Sequence, residues 1–158
     1  MSEFVTPLLE VKMTSMAPVI LELFGIGKEI RLTVTGGSMY PFLRGGRDSV
    51  ILQSAGMRRL RRGDIVLFVR PNGQYVLHRI IRARKAGLYL LGDAQTVSEG
   101  PVDPKSVVAV VRSVCRGGRE IETRGLLWRA ASASWMLLWP ARKLLLRLAP
   151  KIARLRQV

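Results

Sequence analysis

The chain has 158 residues, enough for one domain with a real apolar core. Its 26 lysines and arginines against 11 acidic residues give a formal net charge of +15, which calls for a polyanionic neighbour, either an anionic membrane surface or nucleic acid. A single cysteine, Cys115, excludes an internal disulfide and a thiolate metal cluster. A single histidine, His78, excludes a histidine-based metal site, so the expected chemistry uses neither cofactor nor metal.

The first predicted element is a helix over residues 15–26, starting at Ser15 with Pro18 early and Gly25 late. Met16 to Ile26 is too short to cross a membrane and contains Glu22, whereas a span takes roughly twenty apolar residues. Met1-Ser2-Glu3-Phe4 lacks the basic start of a secretory signal. Strands follow near residues 29–35, 49–53, 64–70, 74–84, 87–92 and 106–116, where Val, Ile, Leu and Tyr runs are bounded by Gly, Pro and Asp. Asn72-Gly73 is a hairpin signal between two of them, and Arg116-Gly117-Gly118-Arg119 reads as another turn. Six or more short strands with tight turns predict a mainly β fold, an antiparallel and barrel-like domain over residues 1–122.

Residues 123–158 differ in character. They contain no acidic residue, while Arg124, Arg129, Arg142, Lys143, Arg147, Lys151, Arg154 and Arg156 are basic. On a helix, Leu137, Ala141, Leu144, Leu145, Leu148, Ile152 and Leu155 share one face, with Arg142, Lys143, Arg147 and Arg154 opposite. Trp128, Trp135 and Trp139 precede this stripe, and tryptophan favours the membrane–water boundary. The expectation is a basic amphipathic helical tail, interrupted at Pro140 and Pro150, that lies on anionic lipid. The competing reading packs this tail on the β domain with a solvated basic face. Nucleic acid is the less favoured partner, because it has no use for the Leu and Trp face. The expected location is cytoplasmic, peripheral at the inner face of the membrane.

Chemistry centres on Ser38 and His78. A serine hydroxyl needs a neighbouring base to become a nucleophile, and histidine has the pKa for that task. Ser38 follows a strand-like run, Glu29 to Val34, on a Gly36-Gly37 turn that leaves the hydroxyl unobstructed; Pro41 stiffens the exit. Taken singly, each residue has an ordinary reading, as a Gly-Gly-Ser turn and a packed strand histidine. Their surroundings decide between that reading and a catalytic pair. A carboxylate that orients the imidazole would come from Asp93, Glu99 or Asp103.

The order of these segments resembles the serine peptidase superfamily of type I signal peptidases and self-cleaving SOS-response repressors. A strand leads into Gly36-Gly37-Ser38-Met39-Tyr40-Pro41, then Gly45-Gly46-Arg47-Asp48, then Arg62-Gly63-Asp64-Ile65-Val66-Leu67-Phe68. Tyr75 to Ile80 and Gly92-Asp93 complete the series, over roughly residues 28 to 112. Most bacterial signal peptidases carry a lysine at the position of His78. Leu77-His78-Arg79-Ile80 is similar instead to the endoplasmic-reticulum type, which has histidine there. The resemblance implies a serine endopeptidase acting on a leader or precursor peptide, with Ser38 attacking, His78 within hydrogen-bond reach of it and moving the proton, and Asp93 or Glu99 orienting His78. Glu99 stands six positions after Asp93, where that type has its third residue as aspartate, and Ala94 replaces the family asparagine. Gly36 supplies no hydroxyl for the oxyanion hole. Residues 1–28 are too few for the helix-turn-helix of the repressor relatives, and no transmembrane anchor is apparent. The alternative function is a catalytically weak or inactive binding module of the same fold that docks on membrane or nucleic acid through its basic tail.

Overall fold

The computed structural model describes residues 13–57 and 59–141. Helix α1 (Met13–Gly25) precedes strands β1 (Ile30–Thr33), β2 (Ser49–Ser54), β3 (Ile65–Val69), β4 (Tyr75–Arg84), β5 (Gly87–Leu91) and β6 (Glu99–Val102). Strands β7 (Val107–Arg116) and β8 (Arg119–Glu122) follow, and helix α2 (Leu126–Leu137) closes the described chain. The eight strands form one antiparallel sheet in the order β1-β2-β7-β3-β4-β5-β6, with β8 on β7. The mainly β, antiparallel expectation therefore holds. The barrel does not: β1 and β6 end the order unpaired with each other, so the sheet is open.

Composition explains the strand positions. Ile65-Val66-Leu67-Phe68 is apolar at every residue, which suits a central strand covered on both faces. Ile65 and Leu67 enter one buried cluster with Ile20, Phe24, Val50 and Leu52. Val66 and Phe68 enter a second with Ile80, Leu88 and Leu90. Strand β4 alternates in the same way: Tyr75 and Leu77 pack on the first cluster, Val76 and Ile80 on the second. His78 thus shares the face of Val76 and Ile80, and Arg79 points the opposite way.

Two strands lie outside the expected set. Strand β6 contains Gly100-Pro101 and ends the sheet order, where a residue without an N–H is tolerated. Strand β8, Arg-Glu-Ile-Glu, is exposed at all four positions and is held by backbone pairing to β7.

Helix α2 packs on the sheet. Its Ser132 is buried and accepts a hydrogen bond from Arg79 Nη1 at 3.0 Å, and Trp135 Nε1 donates to the Asp93 carbonyl at 3.1 Å. Trp128 meets Phe42 edge-on at 5.3 Å. Two of the three tryptophans expected at a membrane boundary are therefore turned towards the protein. Of the predicted apolar stripe, Leu137 and Ala141 are described and exposed, while Leu144, Leu145, Leu148, Ile152 and Leu155 lie outside the described residues. Among the described residues, no helix is long and apolar enough to cross a membrane.

Candidate active site

His78 lies in β4 opposite Val66, its ring centroid 5.8 Å from that of Phe68, and is fully buried. Glu99 opens β6, which pairs with β5, which in turn pairs with β4. This arrangement brings a Glu99 carboxylate oxygen to 3.1 Å from His78 Nδ1. The carboxylate is shared. Arg70, one residue beyond β3, donates from Nε to Glu99 Oε2 at 2.8 Å and from Nη2 to Oε1. Its third nitrogen, Nη1, donates to Gln74 Oε1 at 2.6 Å, and the Arg70 N–H bonds the Gln74 carbonyl at 2.9 Å. The tight β3–β4 hairpin, with Gly73 at φ 80°, therefore aims Arg70 back over β6.

The electrostatics follow from this row of three groups. The Arg70 hydrogen bond holds the Glu99 carboxyl below the usual range, outweighing partial burial, and His78 adds to the effect. Burial pushes the His78 pKa down; Glu99 opposes that shift and Arg70 reinforces it. His78 is consequently neutral at neutral pH, the form in which imidazole can accept a proton. The close Nδ1 approach to Glu99 lacks hydrogen-bond alignment, and Nε2 is buried without a partner. Ser38 and His78, expected within hydrogen-bond reach of each other, are thus not hydrogen-bonded in this structure.

Ser38 lies half-buried in the turn that follows β1. Its neighbour Met39 is 1% exposed and anchors the turn in the first core cluster. On the other side, the Ser38 carbonyl accepts from Ala94 N at 2.8 Å. A Cβ on Gly92 would stand 2.7 Å from that carbonyl, so glycine is required there for the two turns to touch. Nothing would crowd a Cβ at Gly36 or Gly37, and the chain before Ser38 is open on that side.

Asp93 has a different role from the one considered for it. Arg79 Nε and Nη2 donate to its two oxygens at 2.8 and 2.7 Å, and both side chains are almost fully buried. Arg79 Nη1 also donates to the Gly63 carbonyl at 2.9 Å, and the guanidinium sits 4.6 Å from the Phe42 ring centre. This pair lies on the Arg79 side of β4, under α2, and both Asp93 oxygens are occupied. Of the three carboxylates left open by the sequence, Glu99 makes the contact with His78. Asp103 instead accepts from the Lys105 N–H at 2.8 Å as a turn cap.

Arg70 and Arg79 are the residues that sequence reasoning missed. A trace of Arg70 was visible, as a basic residue between the apolar β3 and the Pro71-Asn72-Gly73 turn. Nothing in the sequence pairs it with a residue 29 positions away. An open cavity of about 450 Å³ adjoins Glu99, lined by Arg70, Ala94, Gln95, Thr96 and Val97. Among the described residues, no three His, Cys, Asp or Glu side chains gather as a metal ion would require. The chain matches no protein-family model and no curated protein.

Proposed function

We propose that the chain is a serine endopeptidase of the signal-peptidase-like kind, acting on a leader or precursor peptide. Ser38 is the nucleophile, His78 the general base, and Glu99 the carboxylate that orients His78. The observation that carries this reading is the 3.1 Å approach of Glu99 to His78 Nδ1, with Nε2 left without a partner. A base with a carboxylate beside one nitrogen and the other nitrogen unengaged is the arrangement a serine nucleophile needs.

In the reaction, Ser38 Oγ attacks the scissile carbonyl carbon while its proton passes to His78 Nε2. Glu99 stabilises the imidazolium formed. The tetrahedral intermediate collapses as the imidazolium gives its proton to the leaving amine, leaving an acyl ester on Ser38. Water, deprotonated by the same nitrogen, then releases the acid and restores the hydroxyl. Oγ and Nε2 must come within about 2.6–3.2 Å for transfer, and such contacts often tighten only with substrate bound.

One observation favours the second reading, a binding module without catalysis: His78 is fully buried and forms no aligned hydrogen bond. A fluorophosphonate probe separates the two. The peptidase reading expects a covalent adduct on Ser38 that disappears in Ser38→Ala and in His78→Ala, together with cleavage of a peptide mixture read by mass spectrometry. An unmodified Ser38 and intact peptides would establish the binding module.

A further inference from the structure

A second surface lies where the first turns of α2 meet the turn before β3. A groove of about 650 Å³ there is lined by Arg61, Arg62, Arg124 and Arg129, against one carboxylate, Asp64. All four arginines are exposed. The ion pairs among the described residues run through Arg47, Arg70, Arg79, Arg112, Arg116 and His78, and engage none of these four. The same turn of α2 carries Leu126 and Leu127, 81% and 87% exposed. Helix α2 turns its aromatic side chains inward, on Phe42 and the Asp93 carbonyl, and leaves these leucines without cover among the described residues.

We infer that this surface seats the protein on an anionic phospholipid bilayer, with Leu126 and Leu127 entering the acyl boundary and the arginines meeting lipid phosphates. Charge complementarity selects a polyanion. The two leucines select lipid over nucleic acid, because apolar side chains projecting from a basic rim gain by leaving water only where an apolar phase is present. The surface is independent of the peptidase reading, since it uses none of Ser38, His78 and Glu99.

The test is flotation of the full chain with vesicles of phosphatidylcholine mixed with phosphatidylglycerol, and with phosphatidylcholine alone. The wild type is expected on the mixed vesicles and not on the neutral ones. Leu126→Ser combined with Leu127→Ser should weaken binding about tenfold or more, and each of Arg61→Gln, Arg62→Gln, Arg124→Gln and Arg129→Gln about fivefold. Both leucines are exposed, so an unchanged melting temperature verifies that the variant is folded. Wild-type affinity in the double leucine variant would overturn the proposal. So would retention by a DNA duplex that matches the vesicles and is indifferent to the leucines, which assigns the groove to nucleic acid.

Discussion

His78 is a buried imidazole whose charge state is decided by competition. Burial keeps it neutral, Glu99 would favour the charged form, and Arg70 draws on the same carboxylate while repelling the imidazolium. For a base that must be deprotonated to act, activity rises with pH through the depressed pKa. The acid limb of kcat/KM should therefore lie below 6.5, the ordinary histidine value. Glu99→Gln removes the stronger of the two carboxylates that oppose burial, Asp93 being the other, and leaves Arg70, so the limb should move further towards acid while kcat falls about a hundredfold. Arg70→Ala removes a positive charge and frees Glu99, so the limb should move towards neutral. Shifts in the same direction would show that Arg70 does not act through Glu99. Stability carries the same sign. Because the folded pKa of His78 is lowered, the unfolded chain takes up the proton first, and stability should fall as pH drops below 6.5. Denaturant titrations of the wild type and His78→Asn measure this, with the variant showing the flatter slope.

At the scale of the element, strand pleating separates function from support. Successive residues of β4 send His78 to Glu99 and Arg79 to Asp93, so one strand serves two charged clusters on opposite faces, of which only the second is buried throughout. Breaking a buried ion pair by removing one partner costs about 3–5 kcal/mol, because it leaves the other charge without compensation. Asp93→Ala should therefore unfold the protein at markedly lower denaturant, whereas Glu99→Gln should affect turnover far more than the melting temperature. Equal melting temperatures for Asp93→Ala and wild type would refute the supporting role. The same pleat marks how far the sequence could be read. The runs at β3, β4 and β7, together with the Asn72-Gly73 turn, carry their structure in their side chains, and Glu99 was already a candidate partner for His78. Strands β6 and β8 do not. Glu99-Gly100-Pro101-Val102 and Arg119-Glu120-Ile121-Glu122 pair through backbone at edges, without the apolar alternation that announces a strand. Register explains the missed clamp as well, since Arg70 meets Glu99 only when the β3–β4 hairpin folds back over the far edge of the sheet.

For the whole molecule, closure and boundary are both long-range properties. Strand composition predicted a barrel, but closure depends on whether β1 and β6 pair, and they do not. The boundary near residue 122 followed a change in charge pattern, yet the chain beyond it contributes to the fold. Thr123 Oγ1 donates to the Val111 and Arg112 carbonyls, both at 2.9 Å; Ser132 accepts from Arg79; Trp135 donates to the Asp93 carbonyl. A chain ending at Glu122 would uncover the Arg79–Asp93 pair and leave Arg79 Nη1 short of one acceptor. Each lost hydrogen bond to a buried group costs about 1–3 kcal/mol, and Trp128 would also lose its packing on Phe42. Against a total stability of about 5–15 kcal/mol, that loss is decisive. A chain ending at Ala141 keeps every one of these contacts. It should melt well above the chain ending at Glu122, which should melt far lower than the full protein or fail to fold. Similar melting curves for both truncations would show that α2 is an appendage, and that the buried pair under it is stable without its cover.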